Sequence, residues 1–235
     1  MTGPPIQVVT LGTVGYRTAL DLQRRLCQER RDGTRTEDLV LLLQHPPVVT
    51  LGRGTRPTSL PQSPEALRAH GFEVVEVERG GDVTAHGPGQ LVGYPILDLT
   101  HHRRDLHWYL RTLETVLIDT LAAVGVAGRR RDGLTGVWVD ERKIASIGIH
   151  VKQWVTFHGF ALNVTTDLAL FDRIVPCGIA GVEMTSIARE RPGSDPSVLH
   201  AGTIVALLAA LGRAFNRPVT LVAAGHLDPR PSAGP

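Results

Sequence analysis

Cysteine and lysine are scarce: two of each in 235 residues. Cys27 and Cys177 are too few for a disulfide scaffold, and each is expected to be a free thiol in a reducing compartment. Neither sign of charge dominates, with 25 basic residues against 23 acidic ones and a formal net charge of +2. That balance excludes the basic footprint of a nucleic-acid binder. No apolar run approaches the roughly 20 residues that cross a bilayer, and the start MTGPPIQVVT has neither a basic segment nor a long apolar one. A cytoplasmic protein without a membrane segment is expected. The patterns Cys-x-x-Cys, His-x-x-x-His and His-Glu-x-x-His are missing, so no metal site is expected at His86, His158 or Cys177. A Gly-x-Ser-x-Gly elbow is missing as well, which removes that route to a serine nucleophile.

What is present is 42% hydrophobic sequence, ample for one packed core. Val8, Val9 and Leu11 read as a strand, followed by a helix whose Tyr16, Ala19, Leu22 and Leu26 share a face. Leu39–Leu43 and Val48–Leu51 read as two strands joined at His45-Pro46-Pro47. Ser63-Pro64 opens a short helix, and Leu106, Leu110, Leu113, Leu117 and Leu121 mark a long one, from the N-cap Asp105 to a stop at Gly125. The triplet Arg129, Arg130 and Arg131 reads as a solvated loop. Strand-like runs at 136–139, 144–151 and 155–164 predict a three-stranded meander, and Ile204, Leu207, Leu208, Leu211 and Phe215 a last helix. Strands and helices without regular alternation predict an α+β fold, a single domain with a mixed sheet flanked by helices. The domain is expected over 1–220, with a flexible tail over 221–235.

Three places carry chemistry. Cys177 lies between Pro176 and Gly178 in a loop, exposed as a nucleophile must be. An ordinary thiol is only about 3% thiolate at neutral pH, so a nearby cation is expected. Lys143 heads the apolar strand Ile144–Ile149 and is the candidate, able to act as a base toward a thiol; its position alone also fits a surface lysine. Lys152, in a turn, reads as a surface residue. The glycine-rich run 79–90 cannot form a regular element, and it lacks both the phosphate-loop ending and the dinucleotide spacing. Its glycines suit close approach of backbone to a ligand, with Arg79, Thr84 and His86 as polar groups at the rim. His158 precedes small residues in a strand, another mark of close approach.

Four blocks then stand in a specific order: Arg79-Gly80-Gly81-Asp82-Val83-Thr84-Ala85-His86-Gly87-Pro88-Gly89-Gln90 with Tyr94-Pro95; Lys143-Ile144-Ala145-Ser146-Ile147-Gly148; His158-Gly159-Phe160-Ala161-Leu162-Asn163; and Pro176-Cys177-Gly178-Ile179. With Leu41–Pro47 upstream, they resemble the lipoyl(octanoyl) transferases, the octanoyl-[acyl-carrier-protein]:protein N-octanoyltransferases, over roughly residues 8 to 215. The resemblance implies the fold of the biotin and lipoate protein ligases. It implies transfer of an octanoyl or lipoyl group from acyl carrier protein through a cysteine thioester to a lysine on lipoyl domains, those of 2-oxoacid dehydrogenase E2 subunits and of the glycine cleavage H protein.

In that family the thiol corresponds to Cys177 and the lysine beside it to Lys143. The substrate pocket corresponds to Arg79, Gly80, Gly81, Asp82, Val83, Thr84, Ala85 and His86, to Ser146, Ile147 and Gly148, and to Gly159, Phe160 and Ala161, with His158 as an auxiliary group. No cofactor, ATP or metal is implied. Ala85 stands where the family usually carries an aromatic, which is expected to reshape a pocket wall and affect acyl-chain preference. Oxyanion donors are expected among backbone N–H groups near Cys177 and Gly148. The competing readings are an ATP-dependent lipoate or biotin ligase of the same fold and a non-catalytic acyl-binding domain.

Overall fold

The computed structural model describes residues 3–228. The strands are β1 (Ile6–Thr13), β2 (Leu39–Gln44), β3 (Val48–Leu51), β4 (Glu73–Glu76), β5 (Thr84–His86), β6 (Gln90–Ile96), β7 (Arg129–Arg131), β8 (Leu134–Val139), β9 (Arg142–Lys152), β10 (Val155–Asn163), β11 (Glu183–Met184) and β12 (Val219–Leu221). The helices are α1 (Tyr16–Arg31), α2 (Pro64–Ala69), α3 (Leu106–Ala123), α4 (Ile187–Glu190) and α5 (Pro196–Phe215).

A nine-stranded sheet runs in the order β12-β1-β2-β6-β10-β9-β8-β7, with β11 pairing β9. It is mixed: β1 is parallel to β2 and β12, while β2, β6, β10, β9, β8 and β7 pair antiparallel in turn. The unbroken apolar run of β2 follows from burial on both faces. On one face Leu113, Leu117 and Leu121 of α3 pack with Leu207 and Leu211 of α5 over Phe160 and Leu162. On the other, Ala19 and Leu26 of α1 pack over Leu41, Tyr94 and Ala161. A small sheet, β4-β3-β5, carries its own core of Val49, Leu67, Val83, Ala85 and Phe171.

The expected helix starts are visible as bonds: the Ser63 side chain accepts from the Ala66 amide, and Asp105 from that of Trp108. Several expectations need correction. The two strands joined at 45–47 are present as expected, and they belong to different sheets, so that turn carries the chain from one sheet to the other. Thr84–His86 is a strand inside the glycine-rich run, because β3 offers it an edge. Arg129–Arg131 is an edge strand on β8. The helix Pro196–Phe215, with mean hydropathy 1.7 over 18 residues, is long and apolar enough to cross a membrane. Its Leu199, Leu207, Leu211 and Phe215 are buried in the core with α3, while Val198 and Val205 on the same helix are exposed. The expected tail begins inside packed structure, since Leu221 pairs with Val8 and Leu227 is buried; residues 229–235 lie outside the described residues.

Candidate active site

Lys143 sits at the second residue of β9 and is only 2% exposed. Its ammonium lies 3.1 Å from the Cys177 sulfur, within hydrogen-bonding reach. A buried ammonium is costly without a partner, and here two neighbours compensate it: the thiol, and the indole of Trp138 on β8, whose centroid is 5.4 Å from Nζ. Gly136 allows the close fit, because a β-carbon there would stand 2.8 Å from Lys143 Cε.

Cys177 is half-buried in a single helical turn, Pro176–Gly178, at φ 56° and ψ 20°. That left-handed conformation costs a non-glycine residue about 1–3 kcal/mol, so the surroundings must hold it. The Cys177 amide donates to Val83 O at 2.9 Å, and Gly178 packs on Asp82, where a β-carbon would come within 2.2 Å of Oδ2. Asp82 is itself fixed, Oδ2 accepting from the Ser59 hydroxyl and Oδ1 from the Val83 amide, each at 2.7 Å. The cysteine turn is thus clamped to the glycine-rich run. Ser146 Oγ lies 3.7 Å from the sulfur. The amides expected near Cys177 as oxyanion donors are already engaged: those of Cys177, Gly178 and Ile179 donate to Val83, Val175 and Pro176 carbonyls.

Both side chains open on a cavity of about 190 Å³. Of the residues expected there, Arg79, Gly81, Asp82, Thr84, His86, Ser146, Ile147, Gly148, His158, Gly159, Phe160 and Ala161 line it. Gly80, Val83 and Ala85 do not. Gly80 donates its amide to Ile149 O, which fastens the run across β9. Val83 and Ala85 point into the core of the small sheet, because side chains alternate along β5 and Thr84 and His86 take the cavity side. Ala85 therefore belongs to that core and forms no wall of this cavity.

Arg79 is a buttress more than a rim group. Its guanidinium donates to the Gly80 and Asp82 carbonyls and to both oxygens of Thr50, and so holds the loop from beneath. Tyr16, Tyr94, Gly133, Leu134, Thr135 and Ile179 also line the cavity and were missed as site residues. Tyr94 and Ile179 lie in the sequence blocks, which was a usable signal; Tyr16, Gly133, Leu134 and Thr135 come from segments with no motif.

The inner polar groups form a chain. His45 faces Val14 O through Nδ1 and the Tyr94 hydroxyl through Nε2, both at 2.7 Å. Only a donor can satisfy the carbonyl, so Nδ1 carries the proton and the neutral ring accepts from Tyr94. Burial holds His45 down at about 4 and His86 at about 3, and pushes the Tyr16 hydroxyl up to about 12. His86 contacts Gln90, which donates to Asn163. His158 is 1% exposed at φ 56°, and its two ring nitrogens find no hydrogen-bond partner among the described residues. Its Nε2 is 3.8 Å from Glu78, an ion-pair distance only.

Comparison with known proteins places the chain in a family. The lipoyl protein ligase A/B catalytic domain matches residues 15–211. An octanoyltransferase of Gloeobacter violaceus is 56% identical over 72% of this chain and 73% of its own. One of Synechocystis is 44% identical over 97% of this chain and 96% of its own. Among solved structures, lipoate-protein ligase A bound with ATP superposes with a TM-score of 0.76 at 13% identity, over 95% of this chain and 90% of its own. A bi-partite lipoate protein ligase of Thermoplasma acidophilum gives 0.73 at 14% identity, over 96% and 89%. At such identities the structures speak for the fold alone. Close sequence relatives and a mixed sheet flanked by helices define an acyltransferase on the lipoate-ligase fold. The chain belongs to the lipoyl protein ligase A/B catalytic-domain family, among its octanoyltransferases.

Proposed function

We propose that this protein transfers an octanoyl group from acyl carrier protein to the ε-amino group of a lysine on lipoyl domains, through a thioester on Cys177. The observation that carries the mechanism is the 3.1 Å contact between Lys143 Nζ and Cys177 Sγ at the cavity wall. A thiolate paired with an ammonium is a ready nucleophile. Its sulfur attacks the donor's carbonyl carbon, and the bond from that carbon to the carrier's sulfur breaks. The departing thiolate takes a proton from Lys143, leaving a neutral amine beside the new thioester. The acceptor lysine, in its neutral form, then attacks the same carbon; Lys143 removes a proton from it, and the bond to Cys177 breaks as the amide forms. Thiolate and ammonium are both restored.

The negative oxygen of each tetrahedral intermediate needs donors close to the sulfur. With the loop amides engaged, the Ser146 hydroxyl and the Lys143 ammonium fill that role. The donor thioester already carries the activation energy, so neither ATP nor a metal enters any step. The test is a purified assay with a lipoyl domain as acceptor: octanoyl-acyl carrier protein alone supports octanoylation, read as a mass gain of the domain. Product that forms only from free octanoate and ATP would replace this reading with that of a ligase.

A further inference from the structure

The polar chain that begins at His86 does not stop at Asn163. Asn163 closes β10, is 1% exposed, and stands opposite Gln90 in the register of β10 with β6. Its Oδ1 accepts from Gln90 Nε2 at 2.9 Å, and its Nδ2 donates to the Thr185 carbonyl at 3.0 Å. That carbonyl can only accept, which fixes the direction of every bond before it. The Gln90 amide nitrogen must face Asn163, so Gln90 Oε1 accepts from His86 Nδ1 at 2.7 Å. Gln90, Asn163 and Thr185 are each at most 2% exposed, so a bond lost here has no bulk water to replace it.

Thr185 is where this chain reaches Lys143. It follows β11, whose Met184 is the register partner of Lys143 on β9, and its amide donates to Lys143 O at 2.9 Å. Its hydroxyl donates to Glu190, whose carboxylate also takes the guanidinium of Arg142, the residue before Lys143, at 3.0 Å. The Thr185 backbone is thus bonded on one side to the main chain of Lys143 and on the other to the side chain of Asn163. At its other end the Asn163 amide holds Gln90, in the same run as the Asp82 and Val83 that clip the cysteine turn. Residues 163 and 185 also bound the segment that carries Cys177, and the Ala188 amide to Val164 O, at 2.8 Å, closes that mouth beside them.

We infer that Asn163 is a positioning residue for the transfer: its amide joins the run that holds Cys177 to the strand that holds Lys143, and so sets the spacing of thiol and amine. The inference rests on the function given above, in which that pair does the chemistry. A carboxamide suits the place because one end must accept and the other donate across one rigid plane. Aspartate, of the same shape, would set a carboxylate oxygen against the Thr185 carbonyl. Serine is too short to span Gln90 and Thr185.

The experiment compares wild type with N163D and N163S, all held well below their melting temperatures. N163S leaves room for water at both partners, so a folded variant is in hand even if the buried carboxylate of N163D unfolds the chain. Two quantities are read: kcat and KM with octanoyl-acyl carrier protein, and the rate at which iodoacetamide alkylates Cys177 at neutral pH without substrate, followed by peptide mass. The expected result is a kcat lowered about tenfold or more with KM within about twofold of wild type. Alkylation should slow about fivefold or more, as the thiol loses its ammonium partner. A folded variant with wild-type kcat and wild-type alkylation would overturn the inference even if it melts earlier, and so would a raised KM at unchanged kcat. Failure of the functional reading looks different: wild type itself would then transfer nothing from octanoyl-acyl carrier protein, while the alkylation rates would still report the spacing.

Discussion

The two side chains assigned the chemistry in the proposed function are held in opposite ways. Lys143 stands on β9, paired with Trp138 of β8 on one side and Met184 of β11 on the other and enclosed by Trp138 and Gly136, so its position comes with the sheet. Cys177 rides on one turn of helix in a strained left-handed conformation, held by the Val83 carbonyl and by Asp82 against Gly178. The proposed base is built into the core and the proposed nucleophile is clipped onto it. A strand supplies a precise reference point, while a loop supplies the exposure that the proposed donor needs.

Substitutions can break each side separately. The largest effect is expected for C177S, with transfer lowered roughly 10⁴-fold or more, and for K143A, lowered about 10³-fold, both measured as initial rates on a lipoyl domain. G178A attacks the clip: its β-carbon at φ +68° meets Asp82, and displacement of the sulfur by about 1 Å costs on the order of a hundredfold, with the melting temperature lowered by a few degrees through the strain. S146A, which removes one hydroxyl near the intermediate, should lower kcat about a hundredfold with KM nearly constant. W138L attacks the strand side. It removes the ring from Lys143 and should cost about tenfold in kcat, whereas W138F keeps an aromatic face and should recover most of it.

Acidification sharpens the comparison from another side. His45 and His86 are neutral in the fold, with values near 4 and 3 against an unfolded value near 6.5. Because both values are depressed, the fold keeps this stability above about pH 6.5 and loses it as the unfolded chain takes up protons below that. At pH 4.5 the two rings together cost about 5 kcal/mol relative to pH 7, read as a fall in the urea midpoint. A pH-independent midpoint between those values would contradict the neutral, buried assignment.

Periodicity and caps were enough to find α1, α3, α5 and the β8–β10 meander, since each buries a regular stripe. The two sheets were not legible, because partners of β2 and β3 are chosen by tertiary packing and not by the local pattern. Cys177 and Lys143 were readable from their motif blocks, and their contact was an expectation until the fold brought residues 34 positions apart together. Tyr16 lies in a helical stripe that looks like ordinary core, so nothing local marks its place at the cavity. Val83 and Ala85 could have been set aside from the sequence: once 84–86 is read as a strand, alternation sends Thr84 and His86 to one face and Ala85 to the other.

The central claim is a covalent acyl-enzyme on Cys177, and the direct measurement is the intact mass of the protein after brief incubation with octanoyl-acyl carrier protein, without acceptor. Wild type should carry one octanoyl adduct that hydroxylamine removes, and C177S should carry none. Active transfer to a lipoyl domain with no adduct on wild type would contradict the account, leaving the thiol and amine at 3.1 Å without the role assigned to them.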